Sequence, residues 1–311
     1  MRIFVTGATG FIGSAVVKEL IHARHSVIGL ARSDAGAKSL VAAGAEVLQG
    51  DLKDLESLRS GAANSDGVIH TAFVHDFSKF KENCEIDKRA IEALGGALAG
   101  SDRPLLVTSG LALLAAGRTA TEEDAPVPIS ASYPRASEVT AMSLLARGVR
   151  ASVVRLPQVH DRLKQGLVSY LINIARQKGV SAFVGDGRNR WAAVHVLDAA
   201  RLYRFALEKG TAGAKYHAVA EEGVPLREIA AAIGRGLKMP TVSVSADERA
   251  GEHFGVLGLF AGLDLVASSA LTQKWLGWRP TQTGLMDDLA HARDFEPENT
   301  KSNEGRYAAS K

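Results

Sequence analysis

Short apolar, β-branched runs alternate with longer stretches of helical periodicity through the first half of the chain. Segments such as FIGSAVVKELIHARH, residues 11–25, carry apolar residues at helical spacing and predict helices. The intervening runs predict five strands: RIFVTG, SVIGLA, AEVLQG, DGVIHTAF and PLLVTSG. A sixth strand is predicted in ASVVRLPQVH, residues 151–160. We therefore predict an α/β fold, a doubly wound parallel sheet of the Rossmann type, with ligands at the carboxyl ends of the strands.

The alternation of strand and helix changes after Pro157. The second half predicts a helix in residues 166–179, a loop running into a helix in 185–210, a strand in 214–220 and a helix in 225–237. We interpret this half as a smaller lobe that is interleaved with the end of the first domain.

Three units are predicted from this pattern. A Rossmann domain spans residues 1–160 and is completed by about 190–220; a C-terminal substrate lobe takes about 161–189 and 221–295. Residues 296–311 are polar and lack an apolar period, which predicts a flexible tail.

Composition excludes several classes of partner. The net charge of +3 comes from 37 basic and 34 acidic residues that are scattered along the chain, so no basic stripe predicts nucleic-acid binding. Cys84 is the one cysteine and is expected to be a buried thiol in a reducing compartment. The amino terminus lacks a signal-peptide pattern, and the longest apolar runs are shorter than the ~18 residues of a membrane span. We expect a soluble, cytoplasmic protein with a small-molecule substrate and no membrane partner; a homodimer is left open.

The segment TGATGFIG, residues 6–13, lies between the first strand and the first helix. Gly7 permits a tight turn, Gly10 lets the backbone approach a pyrophosphate, and Gly13 allows the helix to pack closely on the strand. The free N–H groups and the dipole of the helix amino end favour an anion. The motif in this context predicts a dinucleotide site, to which the same loop contributes Thr9, Phe11 and Ile12.

This GxxGxxG spacing occurs together with GDL at 50–52, VIHTAF at 68–73, VTSG at 107–110, VVRLPQVH at 153–160 and AVHVLDAA at 193–200. In these features the chain resembles the extended short-chain dehydrogenase/reductase family, which is NAD-dependent epimerase/dehydratase-like, over about residues 1–290. The resemblance implies further cofactor contacts: Asp51 and Leu52 beside the adenine, Thr71, Ala72, Phe73 and Thr108 along the dinucleotide channel, and Pro157 to Val159 against the nicotinamide. Simple packing at the strand end is the alternative for residues 71–73.

The end of the second strand, IGLARSD, bears on the choice of dinucleotide. An NAD site places a carboxylate there for the ribose hydroxyls, whereas an NADP site places a cation for the 2′-phosphate. Arg32, with Ser33 as a second donor, predicts NADP. Asp34 leaves NAD as the alternative.

The resemblance also implies a catalytic serine, a tyrosine and a lysine four residues after the tyrosine. Ser109 and Tyr133 match the first two, but the fourth residue after Tyr133 is Ser137. The missing ammonium matters because a free tyrosine has a pKa near 10, and a nearby cation lowers it by about 1 to 3 units. If Arg135 shares a helix with Tyr133 it points to another face, so we expect it to be a poor substitute. Pro134 suits a first helical turn, which leaves a purely structural role open for Tyr133.

Other candidates for proton transfer are histidines. His75 and His160 follow strand ends that are expected to face the cleft, whereas His195 is expected, with Asp198, to close the lobe onto the main domain. The tyrosine-to-lysine spacing from Tyr307 to Lys311 lies in the polar tail, without a strand or helix around it, and is interpreted as chance. No spacing typical of metal ligands is present.

We therefore expect an NADP-dependent oxidoreductase that reduces a small carbonyl compound and belongs to an atypical, lysine-lacking branch of that family. A nucleotide-sugar epimerase or dehydratase is the alternative, in which Arg188 and Arg190 of GDGRNRW bind a diphosphate. A third hypothesis is a regulator that senses the dinucleotide without turnover.

Overall fold

The computed structural model describes residues 1–115, 117–131, 133–246 and 248–295. Its strands are β1 (Arg2–Thr6), β2 (Ser26–Ala31), β3 (Glu46–Gln49), β4 (Gly67–His70), β5 (Pro104–Gly110), β6 (Arg150–Leu156), β7 (Gln158–His160), β8 (Ser181–Val184), β9 (Arg190–His195), β10 (Lys215–His217), β11 (Glu221–Pro225) and β12 (Thr241–Val244). Its α-helices are α1 (Phe11–His22), α2 (Asp34–Ala42), α3 (Leu55–Ala63), α4 (Phe80–Leu98), α5 (Ser137–Ser143), α6 (Leu167–Lys178), α7 (Val196–Lys209), α8 (Leu226–Leu237), α9 (Glu248–Phe254), α10 (Gly258–Ala261), α11 (Ala270–Leu276) and α12 (Leu285–Ala290). Short 3₁₀ turns lie at Phe77–Lys79, Leu144–Arg147, Gly255–Leu257 and Arg293–Phe295.

Seven of these strands form one parallel sheet in the order β10-β6-β5-β4-β1-β2-β3. The chain starts in the middle, winds outward through β2 and β3, and then crosses back to β4, β5 and β6 on the other side. This order confirms the predicted α/β fold with a doubly wound sheet. The carboxyl ends of β1 and β4 lie side by side at the point where the winding direction reverses.

The central sheet is buried on both faces because neighbouring residues of one strand enter different layers. In β1, Ile3 and Val5 belong to a cluster that includes α1 and α7, whereas Phe4 belongs to a cluster that includes α3 and α4. All three side chains are fully buried. Because both faces are buried, the strand carries an unbroken apolar run, the IFV of RIFVT, instead of alternating apolar and polar residues.

The second half contains more strands than its sequence pattern predicts. The strand predicted at 151–160 divides at Pro157 into β6 and β7, and β9 lies in the segment 185–210, for which the sequence predicts a loop running into a helix. Two small sheets result, one in the order β11-β9-β7 and one that pairs β12 with β8. They pack with α6, α8 and α12 around a separate apolar cluster centred on residues such as Trp191 and Ile229. The predicted domain boundaries stay a prediction.

Two further predictions concern chain segments rather than the sheet. The helix predicted to begin near Tyr133 begins at Ser137, so Pro134 lies outside its first turn. The predicted tail, with Tyr307 and Lys311, lies outside the described residues. Among the described helices, none combines the length and the apolar character that crossing a bilayer requires.

A buried arginine ties the sheet to the segments around it. Arg155 of β6 is fully buried, and its guanidinium donates to Glu138 Oε2 at 2.9 Å and Oε1 at 2.5 Å. It also donates to the backbone carbonyl of Asp124 at 2.7 Å and lies 3.1 Å from His217 Nε2. Since His217 Nδ1 contacts the Ser268 carbonyl at 2.8 Å, Nδ1 carries the proton and Nε2 accepts from Arg155. The network joins β6, α5, β10 and the loop before α5.

We predict that His217 makes the protein sensitive to mild acid. Burial first, and the adjacent Arg155 charge second, lower the pKa of His217 to about 3. In the unfolded chain this residue takes up a proton below about pH 6.5, whereas in the folded protein it stays neutral down to about pH 3. Between these two pH values, each unit of acidification lowers the free energy of unfolding by about 1.4 kcal/mol. Between pH 7 and pH 5, the free energy of unfolding should therefore fall by about 2 kcal/mol more in the wild type than in His217→Gln. Denaturant unfolding at several pH values measures this difference. His22→Gln, at an exposed position, is the control, and an equal pH dependence in the wild type and His217→Gln would contradict the assignment.

Candidate active site

The turn after β1 and the end of β4 approach each other closely at the switch point of the sheet. Gly7 has a φ of +67°, and a Cβ atom there would lie 2.8 Å from Thr71 Oγ1. Thr71 in turn donates its hydroxyl to the Thr6 carbonyl at 2.8 Å. A side chain at position 7 is therefore excluded both by the backbone conformation and by its neighbours. Thr71 and Ala72 lie directly beside the glycine loop, and their predicted contact with a dinucleotide stays a prediction.

The glycine loop presents the uncapped amino end of α1. Gly10 is the N-cap residue, no side chain caps the helix, and its first turn contains no acidic residue. Thr9 and Gly10 are exposed, whereas Gly13 is buried, and a Cβ atom at Gly13 would collide with the Gly7 carbonyl oxygen. Phe11 and Ile12 are half-buried on the side that joins the core. The open N–H groups and the absence of negative charge fit the pyrophosphate of a dinucleotide.

The end of β2 lies next to this loop. Arg32 is exposed, and Ser33 is the N-cap of α2, where its Oγ accepts from the Gly36 N–H at 3.2 Å. A Cβ atom at Gly36 would lie 3.1 Å from Thr9 Cγ2, so the start of α2 adjoins the glycine loop. The structure therefore brings Arg32 and Ser33 to the edge where a dinucleotide ribose would lie. The capping bond uses the Ser33 oxygen as acceptor, which leaves its hydroxyl hydrogen for a ligand.

Several predicted cofactor residues have structural partners. Thr108 donates its hydroxyl to the His70 carbonyl at 2.7 Å and lies 2.6 Å from the Tyr203 hydroxyl. Leu52 and Val159 are buried among core side chains. Asp51 Oδ1 accepts from the Lys53 N–H at 2.6 Å, which forms a turn after β3. Thr108 thus supports the strand end, and its predicted contact along the dinucleotide channel stays a prediction.

Ser109 and Tyr133 lie in one pocket beyond the end of β5. Only 7% of Ser109 and 9% of Tyr133 is exposed. The lining residues are Ser109, Gly110, Leu114, Val127, Tyr133, Arg135, Glu138 and Val139. A Cβ atom at Gly110 would meet no other atom within 4 Å, so open space adjoins Ser109. Ser109 and Tyr133 thus contribute two hydroxyl groups to the lining of one small pocket, and hydroxyl groups are donors that suit a carbonyl or carbinol oxygen.

Arg135 also lines this pocket, which contradicts the prediction that it faces away. Tyr133 and Arg135 precede α5, so the helical geometry on which that prediction rested does not apply to them. The Arg135 guanidinium carbon lies 4.6 Å from the centroid of the Phe73 ring, and Nε donates to Ser137 Oγ at 3.1 Å. Phe73, predicted as a cofactor contact, thereby also positions a cation.

Ser137, which stands at the fourth position after Tyr133, belongs to a buried polar chain. Its hydroxyl donates to Asp87 Oδ2 at 2.5 Å, and Asp87 Oδ1 lies 3.0 Å from His70 Nε2. His70 Nδ1 lies 2.8 Å from Thr6 Oγ1. All four side chains are at most 2% exposed. The chain connects the centre of the sheet through α4 to the start of α5, and through Ser137 to Arg135.

The charges around Tyr133 act in opposite directions. Burial raises the pKa of Tyr133, the Arg135 charge lowers it, and Glu138 raises it to a smaller extent. The Glu138 charge is matched by its ion pair with Arg155. Cys84, buried as expected, is a neutral thiol because burial raises its pKa to about 11. Arg135 is therefore the charge that favours the ionised tyrosine.

The histidines predicted as alternatives occupy different environments. His75 is exposed, and its ring makes an edge contact with Phe73 at 5.5 Å. His160 is fully buried, with Nδ1 2.8 Å from Asp288 Oδ2, so the expectation that it faces the cleft is wrong. His195 is the N-cap of α7, where its Nδ1 accepts from the Leu197 N–H. Within the described ranges, no cluster of His, Cys, Asp and Glu has the geometry of a metal site.

Asp198 joins α7 to the C-terminal segment. Its carboxylate accepts from the Thr281 N–H at 2.9 Å and from the Gln282 N–H at 2.9 Å, and it pairs with Arg201 at 2.6 Å. It is fully buried. These contacts give Asp198 the structural role that was expected of it.

The arginines of the GDGRNRW loop are engaged within the protein. Arg190 forms a two-pronged contact with Asp264, at 2.8 Å from Nη2 to Oδ2 and 3.2 Å from Nε to Oδ1. Arg188 Nε lies 3.4 Å from Asp186 Oδ2. A diphosphate bound by Arg190 would have to replace the Asp264 carboxylate.

Sequence reasoning missed Asp87, Glu138 and the central role of Arg155. A signal was present for two of them. Arg155 stands in the middle of SVVRLP, a strand of the predicted parallel sheet; such sheets are buried on both faces, and a buried arginine requires a carboxylate. Asp87 shares a helix face with Cys84 and Ile91, which belong to the apolar side of α4.

Comparisons with known proteins agree with this architecture. The NAD dependent epimerase/dehydratase family model matches residues 3–220. An uncharacterised protein from Schizosaccharomyces pombe is 52% identical over 93% of this chain and 98% of its own length. A 4-hydroxy-2-methyl-3-oxo-4-farnesyl-3,4-dihydroquinoline-1-oxide ketoreductase from Stigmatella aurantiaca is 28% identical over 73% of this chain and 70% of its own length.

Among solved structures, a dTDP-glucose 4,6-dehydratase double mutant from Streptomyces venezuelae, with NAD and DAU bound, has a similar fold. The TM-score is 0.77 at 21% identity, and the match covers 100% of both chains. The matched family model spans the glycine loop, Ser109, Tyr133 and the strands that position them. The chain therefore belongs to the NAD-dependent epimerase/dehydratase family.

Proposed function

We propose that this protein is an NADP-dependent oxidoreductase that reduces a small carbonyl compound. The observation that carries the proposal is that Ser109 and Tyr133 line one pocket at the edge of the sheet where the glycine loop lies. Their hydroxyl groups are the donors that a carbonyl oxygen needs when it gains negative charge. Because Ser137 stands where a lysine is expected, we propose an atypical branch of the family for this chain.

The chain's residues have distinct parts in this reaction. When bound, the dinucleotide supplies the hydride that reaches the carbonyl carbon. Ser109 donates a hydrogen bond to the carbonyl oxygen and orients it, and the Tyr133 hydroxyl gives that oxygen its proton, which yields an alcohol. Solvent then returns a proton to the Tyr133 phenolate. Leu114, Val127 and Val139 of the lining limit the access of water to the reacting oxygen.

The preference for NADP is argued from the end of β2. Arg32 offers a guanidinium, whose planar donors suit a phosphate, at the start of α2. Ser33 adds a hydroxyl hydrogen and the amino end of α2 adds a favourable dipole. Asp34, the first residue of α2, opposes an anion and is the residue that would serve NAD.

A ketoreductase among the relatives supports carbonyl reduction, whereas the family name equally favours a nucleotide-sugar epimerase or dehydratase. The paired state of Arg190 argues against a diphosphate at that loop. Two assays separate these functions: consumption of NADPH with a panel of ketones and aldehydes, and product analysis of UDP- and dTDP-sugars incubated with the oxidised dinucleotide. A dinucleotide sensor would bind the cofactor and turn over nothing on the panel.

We predict that Arg32→Ala weakens NADPH binding by about 1.5 to 3 kcal/mol, because it removes a charge-assisted contact to the 2′-phosphate. NADH lacks that phosphate, so its affinity should change little. Calorimetric titration with both dinucleotides measures the two effects. Arg59→Ala, on the exposed side of α3, is the matched control, and equal losses for NADPH and NADH would refute the assignment.

Substitutions in the glycine loop should separate binding from folding. Gly10 is exposed, and the nearest atom to an added Cβ is the Gly7 oxygen at 3.2 Å, so Gly10→Val should remain folded and lose binding of both dinucleotides. Gly13→Val places its side chain against the Gly7 carbonyl and should lower the thermal midpoint strongly. Thermal unfolding and cofactor titration of both variants measure this. A Gly10→Val protein that still binds NADPH would show that the pyrophosphate lies elsewhere.

Tyr133→Phe removes only the hydroxyl that we propose as the proton donor. We expect kcat on a proven carbonyl substrate to fall by about 10²- to 10⁴-fold, the contribution of a positioned acid, with NADPH affinity unchanged. Steady-state kinetics and cofactor titration measure the two quantities. Near-full turnover in this variant would move the proton donor to His75 or water.

A further inference from the structure

We propose that the Arg135 guanidinium, which lines the same pocket as Tyr133 and Ser109, takes the electrostatic role of the missing lysine and favours ionisation of the Tyr133 hydroxyl. The proposal rests on the proposed function, in which Tyr133 is the proton donor. It assigns Arg135 as a residue that acts through Tyr133 and does not itself transfer a proton.

The geometry holds Arg135 in place from two sides. Its guanidinium stacks over the Phe73 ring at 4.6 Å, and Nε donates to Ser137 Oγ at 3.1 Å. Ser137 is itself fixed by its hydrogen bond to Asp87. A flat cation with one nitrogen anchored and one face on an aromatic ring loses little entropy when it points into a pocket.

Two carboxylates, Glu138 and Asp87, lie near Arg135. None of the described residues forms an ion pair with Arg135, whereas the pocket's carboxylate, Glu138, is paired with Arg155. Cys84 is a neutral thiol near Tyr133 on the α4 side. Asp87 is separated from Arg135 by the Ser137 hydroxyl alone, and it is also held by His70. Both carboxylates thus have partners of their own, and Arg135 is the cation that lines the pocket together with Tyr133, where burial strengthens electrostatic interactions.

The same contacts explain why a serine suits position 137. Its Oγ lies 2.5 Å from Asp87 Oδ2, so an ammonium at this position would be drawn into an ion pair with Asp87. Serine instead donates to Asp87 and accepts from Arg135. The Asp87 carboxylate thereby fixes Ser137, and Ser137 in turn fixes the guanidinium. The cation in the pocket of Tyr133 is therefore supplied by residue 135.

The test measures the ionisation of Tyr133 directly. The protein is produced with a ring-fluorinated tyrosine, whose more acidic phenol brings the titration into the range where the fold persists, and ¹⁹F NMR follows each tyrosine with pH. Tyr133→Phe identifies the signal. Arg135→Gln removes the charge, Arg135→Lys keeps it, and Arg89→Gln, which removes an exposed arginine of α4, is the control.

We expect Arg135→Gln to raise the Tyr133 titration midpoint by about one to three pH units, the range for the loss of a nearby cation. Arg135→Lys should restore part of that shift, and Arg89→Gln should give the wild-type midpoint. On a proven substrate, the alkaline limb of kcat should move upward by the same amount in Arg135→Gln. An unchanged midpoint in Arg135→Gln overturns the proposal, as does a rise in KM alone, which would make Arg135 a binding group for an anionic substrate. Because the NMR titration needs neither substrate nor cofactor, it stands even if no carbonyl compound is turned over.

Discussion

The parallel direction of the seven central strands determines where everything else can lie. Parallel strands bring their carboxyl ends to one edge, and the order β10-β6-β5-β4-β1-β2-β3 sets the ends of β1 and β4 side by side at the reversal. The glycine loop follows β1, Thr71 follows β4 and Ser109 ends β5. The glycine loop and Ser109 thus lie at the same edge of the sheet although more than 90 residues separate them in the chain.

Burial of charge imposes a second constraint on the same edge. Arg155 and Glu138 are both buried, and removing either would leave an uncompensated charge in the interior, a change that costs about 3 to 5 kcal/mol in comparable pairs. The pair joins β6 to α5, and the Asp87 chain joins β1 and β4 to α5. Two independent polar networks therefore hold the short helix that follows Tyr133. These networks fix the backbone near the tyrosine, since α5 has only seven residues and is a weak anchor by itself.

Family membership explains the cofactor loop and the fold but leaves the chemistry of the pocket to this chain's own residues. Burial disfavours the ionised form of Tyr133, so a cation is required if the tyrosine is to exchange protons near neutral pH. The side chain in the lysine position, Ser137, holds Asp87 and Arg135 instead of a substrate or a ribose. Arg135 is the positive charge that the surrounding geometry offers to Tyr133.

The sequence by itself determined the doubly wound sheet and the glycine loop, because both depend on local patterns. Periodicity identifies strands such as RIFVT, and the glycine at position 7 indicates a local turn with a positive φ angle. The resemblance to the extended family, carried by motifs in the sequence, also indicated Ser109 and Tyr133. Three strands of the small sheets are too short to show a period, since β7 has three residues and β8 and β12 have four each.

Only the tertiary structure decided the direction of Arg135. Side chains two residues apart point to different faces of a helix, but Tyr133 and Arg135 precede α5 and line the same pocket. The tertiary structure alone brought Asp87, 50 positions away, to Ser137, and Glu138, 17 positions away, to Arg155. Contacts of this kind depend on which elements pack together. These contacts form because a buried charge must be neutralised or hydrogen-bonded, and the sequence pattern does not show which distant residue will do so.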